Sequence, residues 1–123
     1  MELCAYSISL TVKDIDKSRI FYEKIGFDKR GGDQSQNWLI MRCGDTTIGL
    51  NQEMFENNII TFNPGWDQQC NKLESFTDIR ELHKTFKSKG IEMISESIEN
   101  EKGPSSFLLL DPDGNSILID QHV

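Results

Sequence analysis

Histidine is scarce in this chain: His83 and His122 are its only two. No Ser-His-Asp or Cys-His arrangement for nucleophilic catalysis is readable around them. Cysteine is scarce too. Cys4, Cys43 and Cys70 are odd in number and far apart, which fits neither a disulfide framework nor a zinc knuckle and leaves reduced thiols as the expectation. No apolar run reaches the length of a membrane span. Met1 to Leu10 has neither the basic region nor the cleavage site of a signal peptide, so the cytoplasm is the expected compartment. Basic residues are outnumbered, 13 Lys and Arg against 20 Asp and Glu, for a net charge of −7. Nucleic-acid affinity comes from clustered cations, so that partner class is excluded, whereas a cationic small molecule would suit the balance. No glycine-rich phosphate loop follows a strand, and Gly31-Gly32 reads as a turn.

What is present is a sequence that nearly repeats itself. The 123 residues suit one domain with a real apolar core. Asp14-Ile15 and Asp78-Ile79 each open a helix-like run, and the runs end in the same register at Gly26-Phe27-Asp28 and Gly90-Ile91-Glu92. Strand-like sequence and a turn follow each: Cys43-Gly44-Asp45 in the first half, Asp111-Pro112-Asp113-Gly114-Asn115 in the second. Such self-similarity indicates a duplicated supersecondary unit.

Tyr6 to Val12 alternates, with Ile8, Leu10 and Val12 on one face and Ser7, Ser9 and Thr11 on the other, which predicts a half-buried strand. Asp14 can cap the next helix, where Ser18, Phe21, Tyr22 and Ile25 form the expected stripe. Phe27 to Gly32 is a short strand candidate. Trp38 to Cys43 and Thr46 to Asn51 read as a hairpin. Residues 53–69 are expected to connect the halves, with a strand near Ile59 to Phe62 and a turn at Asn63-Pro64-Gly65. In the second half, Cys70 to Thr77 is a strand candidate interrupted by Lys72 and Glu74. Asp78 caps a helix with Ile79, Leu82, His83 and Phe86 on one side. Ile91 to Ile98 is a further strand candidate and Glu99 to Pro104 a polar loop. Phe107 to Leu110 and Ser116 to Asp120 form the last hairpin. The resulting class is α+β, with two tandem βαβββ units at 1–52 and 70–123.

This order resembles the vicinal oxygen chelate superfamily of glyoxalases, bleomycin resistance proteins and extradiol dioxygenases. The resemblance rests on Ser9-Leu10-Thr11-Val12-Lys13-Asp14, Ser18, Phe21-Tyr22 and Gly26-Phe27, and on Leu110-Asp111-Pro112-Asp113-Gly114-Asn115 followed by Ile117. It covers the whole chain. It implies curled mixed sheets around a cavity, helices outside, and a homodimer. It also implies a divalent metal held by His, Glu or Gln from the first and last strands of each unit. Carried over by position, the first-strand His falls at Ser7 and the last-strand Glu at Leu118. The helix register carries Ser7 onto Asn71, and matching Ile48 to Ile117 carries Leu118 onto Gly49. Slipping the strand near Asn71 would put Cys70 or Lys72 there instead. Since Ser7, Gly49, Asn71 and Leu118 make a poor ligand set, no metal and no other cofactor is expected.

Candidate ligand contacts are the aromatic residues Trp38, Phe62, Trp66 and Phe107, with Asn51 as the inward polar residue and Asn63 and Gln121 nearby. Asp120 shares strand parity with Leu118, so it could bind a cationic group or act as a base. His122 shares that parity, with a frayed end as the alternative; His83 reads as a helix-packing residue. The leading expectation is a metal-independent protein that binds an aromatic or cationic small molecule. The alternatives are a glyoxalase-like lyase or isomerase with an atypical or metal-free site, and an interaction or regulatory domain with a collapsed cavity.

Overall fold

The computed structural model describes residues 1–98 and 100–123. The chain divides into two units, the first Ser7–Ile59 and the second Met1–Tyr6 with Ile60–Val123. In chain order the elements are β1 (Ala5–Val12), α1 (Ile15–Lys24), β2 (Asp28–Asp33), β3 (Trp38–Cys43) and β4 (Thr46–Gln52). Then follow β5 (Ile59–Asn63), α2 (Ile79–Ser88), β6 (Ser95–Ser97), β7 (Ser105–Leu110) and β8 (Ser116–Gln121). The architecture is α+β. No helix among the described residues is long and apolar enough to cross a membrane.

The first unit orders its strands β2-β3-β4-β1, with β1 parallel to β4 and the other neighbours antiparallel. Alternation in β1, β3 and β4 sends Ile8, Leu10, Leu39, Met41, Ile48 and Leu50 to one face, where they pack with Ile15 of α1. The expected helix stripe is only partly right. Ile15 and Tyr22 pack inward, whereas Phe21 and Ile25 are exposed. Ile15, which the expected stripe omitted, fixes the rotation of the helix. The outer strand β2 carries Asp28, Lys29 and Arg30, and its pairing shifts between Lys29 and Gly31.

The second unit has the order β5-β8-β7-β6, the same pattern as the first. Its core is Ile79 and Leu82 of α2 against Phe107, Leu109 and Ile119. This order corrects the expected strand at Cys70 to Thr77. That stretch has only an isolated bridge, between Trp66 and Lys72, and the leading strand is β5. Two residues separate β1 from α1, but residues 64–78 separate β5 from α2. Counting back from the helix therefore lands in the insertion. The strand candidate at Ile91 to Ile98 shortens to β6, and Glu99 of the expected polar loop lies outside the described residues. Glu96 of β6 ties this edge to α2 through His83 Nε2 at 2.6 Å and Lys87 Nζ at 2.7 Å. The Asp-Pro-Asp-Gly-Asn turn is clasped by Asp111, whose Oδ1 accepts from the amides of Asp113 and Asn115 at 2.9 and 2.8 Å.

Duplication extends to a buried polar device. Asp14 and Asp78 cap their helices by accepting from backbone amides of the first turn. A glutamine at the end of each unit's last strand accepts the next orphan amide. Gln52 Oε1 takes the Ile15 amide at 2.8 Å, and Gln121 Oε1 takes the Ile79 amide at 2.8 Å. The displacement that carries Ile48 to Ile117 also carries Gln52 to Gln121. Gln121 is 1% exposed, and its Nε2 donates to Asp78 Oδ2 at 3.2 Å and to the carbonyls of Gly103 and Val123. The Gln121→Ala variant should lose about 2–3 kcal/mol in urea unfolding, because it strands a buried amide and several acceptors. Gln52→Ala, at a half-buried position, should lose about 1 kcal/mol. Equal losses would refute this ranking.

Candidate functional site

In the first unit the sheet face away from α1 is mixed in character and half-buried, with Trp38 exposed at its margin. Cross-strand pairing lines up Thr11, Asn51 and Trp38 in one row and Ser9, Gly49 and Ile40 in the next. Trp38 is 36% exposed at the start of β3, beside Asn51. A Cβ built on Gly49 would meet Asn51 Nδ2 and Ser9 Oγ, each at 3.4 Å, so small neighbours lean over the gap. Thr11 is held by the loop after β4, its amide donating to Asn58 Oδ1 at 2.9 Å and its hydroxyl to the Phe55 carbonyl at 2.9 Å. A groove of about 420 Å³, lined by Lys17, Ser18, Phe21 and Asn58 among others, lies on the same unit and has no counterpart among the sequence expectations.

In the second unit Asp120 shares the strand face of Leu118. Phe107, Ile119 and Gln121 face the core, leaving Ser106, Leu118 and Asp120 on the other side. Asp120 Oδ2 lies 3.1 Å from His122 Nε2. The His122 ring lies flat on Trp66, with centroids 4.5 Å apart and planes 4° from parallel. His122 is therefore not a frayed end. The structure thus brings Trp66, Asp120 and His122 together, and separately pairs Trp38 with Asn51. Asn63 donates from Nδ2 to the Asp120 carbonyl at 2.8 Å, which anchors β5 to β8.

Two aromatic expectations change. Phe107 is 1% exposed, edge-on to His83 and Phe86, and belongs to the core instead of a ligand site. It has the parity of Ile119, and that alternation was the signal available in the sequence. Phe62 packs partly on the same core, with its ring 5.5 Å from that of Tyr6.

A metal of the kind the family's enzymes use does not fit these residues. Ser7, Gly49 and Leu118 offer no imidazole or carboxylate. Asn71 is a correction: it sits in a turn, its amide donating to Asp67 Oδ1 at 2.9 Å, because the matching strand is β5. β5 reads Ile59, Ile60, Thr61, Phe62 and Asn63, so the corrected position supplies neither group. Among the described residues no three His, Cys, Asp or Glu side chains are grouped to hold a metal ion. Cys4, Cys43 and Cys70 are in no disulfide.

The hydrogen bond to Asp120 raises the His122 pKa, and the charge of Asp120 adds to this against the opposing effect of burial. A raised folded pKa means that this pair stabilises the fold below the ordinary histidine value of about 6.5 and that the contribution fades as pH rises through the folded pKa. An NMR titration should therefore place His122 above the ordinary value, and Asp120→Asn should bring it back down. An unchanged midpoint in that variant would contradict the assignment.

The fold agrees with the comparisons. The family model of the Glyoxalase/Bleomycin resistance protein/Dioxygenase superfamily matches residues 6–119. A bleomycin resistance protein of Klebsiella pneumoniae is 27% identical over 121 residues, covering 93% of this chain and 89% of that protein. A solved structure of an NAD-dependent benzaldehyde dehydrogenase from Legionella pneumophila aligns with TM-score 0.70 at 18% identity, covering 96% of this chain and 99% of that one. A glyoxalase/bleomycin resistance protein/dioxygenase superfamily member from Vibrio splendidus aligns at 0.66 and 15% identity, covering 94% and 97%. At these identities the two structures speak for the fold alone. Since the family model spans nearly the whole sequence, the chain belongs to the Glyoxalase/Bleomycin resistance protein/Dioxygenase superfamily.

Proposed function

We propose that this chain is a metal-independent small-molecule binding protein, with Trp38 and Asn51 of the first unit among the ligand contacts. The observation that carries the reading is the row of Thr11, Asn51 and Trp38 beside Ser9 and Gly49. It offers hydroxyl and amide groups and a part-exposed indole, without the imidazole and carboxylate donors a divalent cation needs. An indole face attracts planar and cationic groups, and the net charge of −7 favours the latter. The Klebsiella relative, named for bleomycin resistance, supports a ligand-sequestering role.

Asp120 favours a second reading, a metal-free enzyme with this carboxylate as general base. Its hydrogen bond to His122 gives it a partner for a moving proton. Turnover separates the two readings: a binder is stabilised by its ligand and leaves it unchanged.

Protein purified without chelator should carry less than about a tenth of an equivalent of transition metal by elemental analysis, since a site without imidazole or carboxylate ligands binds weakly. Near one equivalent of zinc, nickel, manganese or iron would overturn the reading. Bleomycin, used as a cationic probe, should raise the melting temperature by mass action. Trp38→Ala should reduce that shift, as should Asn51→Ala. A shift that survives both substitutions would remove the first-unit face from the site.

A further inference from the structure

The second unit has a cleft of about 300 Å³ whose lining includes Ser97, Pro104, Ser106, Asp120 and His122. Strand register sets three of these side by side. Ser97 of β6 lies opposite Ser106 of β7, and Ser106 lies opposite Asp120 of β8. All three are on the face away from Phe107 and the core, so two hydroxyls and a carboxylate form one row across three strands. His122 sits at the end of the row, bonded to Asp120 and stacked on Trp66. Trp66 is not part of the cleft lining, so the indole steadies the imidazole plane from outside it.

We propose that this cleft binds a small, neutral, polyhydroxylated molecule of the sugar or cyclitol type. The charges decide among ligand classes. A free anion would meet the Asp120 carboxylate, and the His122 imidazole already has Asp120 as its partner. An ammonium ligand would compete with a hydroxyl only for the second Asp120 oxygen, and the two serines give it no further charge to pair with. A hydroxyl group both donates and accepts, which matches two serines and a carboxylate whose second oxygen can still accept. The volume lies at the low end of ligand pockets, roughly 300–1,000 Å³, and suits a single ring. The raised His122 pKa agrees, because it keeps the imidazole charged and Asp120 matched below the folded pKa. Among the described residues, Arg80 and Glu96 are engaged elsewhere. Arg80, on the core side, binds Asp78, the carbonyls of Asn100 and Gly103, and Ser105 Oγ, while Glu96 faces α2. Glu101 and Lys102, in the preceding loop, are exposed.

This inference concerns the second unit, whereas Trp38 and Asn51 belong to the first, and the test keeps the two apart. The labelled full chain is titrated with D-glucose, D-ribose and myo-inositol in turn, and amide shifts are followed by NMR. Saturable shifts at Ser97, Ser106, Asp120 and His122, with Trp38 and Asn51 unmoved, are expected for at least one probe. Asp120→Asn should weaken binding about tenfold, the loss expected on replacing a charge-assisted hydrogen bond by a neutral one. Ser106→Ala should weaken it less. Shifts confined to Trp38 and Asn51, no saturable shift with any probe, or unchanged affinity in Asp120→Asn would each overturn the proposal. Tighter binding of butylammonium than of all three probes would also overturn it, because it would make the cleft a cation site. A bleomycin stabilisation lost on Trp38→Ala would leave the first-unit reading intact in every case.

Discussion

Each unit depends on a hydrogen bond between a glutamine at a strand end and the first amide of a helix. A helix N-terminus has several unpaired amides, and burying them unpaired would cost more than the contact of one small helix returns. The aspartate caps satisfy some of them locally. Gln52 and Gln121 satisfy the next from the sheet, fixing where the helix sits along the strand and how far it can rotate. The buried stripe follows from that placement: Ile15 and Ile79, whose own amides are held, are buried at 3% and 0% exposure. Gln121 also gathers Asp78 and the carbonyls of Gly103 and Val123. Burial alone would raise the pKa of Asp78, but hydrogen bonds from Arg80 and Gln121 outweigh it and the net effect is a lowered pKa. A depressed carboxyl pKa contributes stability above its unfolded value and loses it as pH falls through the folded one. The second unit's helix start is thus sensitive to acid.

Much of this was legible because periodicity and capping are local. The alternation at Tyr6 to Val12, both aspartate caps, the two hairpins and the gap-free helix repeat all depend on residues within a few positions of one another. The strand leading the second unit was harder. It lies before an insertion that has no counterpart in the first unit, so the repeat register cannot be carried across it. Ile59 to Phe62 gave an apolar signal in the right place, but the register pointed past it to Asn71. The conclusion about donors survives because β5 is as poor in imidazole and carboxylate as the turn at Asn71.

The candidate site divides along the same line. Parity grouped Asp120 with Leu118 and Asn51 with Gly49, and the structure places Asp120 on the strand face opposite Ile119 and Gln121. Phe107, expected as a ligand contact, pairs with Ile119 and faces the core, which its strand position could have signalled. The stack of His122 on Trp66 joins residues far apart in sequence, and no periodic pattern encodes it. Ser97 and Ser106 were invisible for a related reason. A serine in a strand means little until the register shows what lies opposite, and here that is another serine and a carboxylate.

The outermost strands have a consequence for self-association. A sheet border with free amides and carbonyls is a template for a further strand, from the same chain or another. Here β2 borders its sheet with Asp28, Lys29 and Arg30 and a break in register, and β6 borders its own with three residues. Glu96 further fastens that short border to α2. Its carboxyl pKa is lowered by hydrogen bonds from Lys87 and His83, so acidification through that pKa releases the fastening. Above it, neither margin favours strand addition, and fibrous growth by edge pairing is disfavoured in both units.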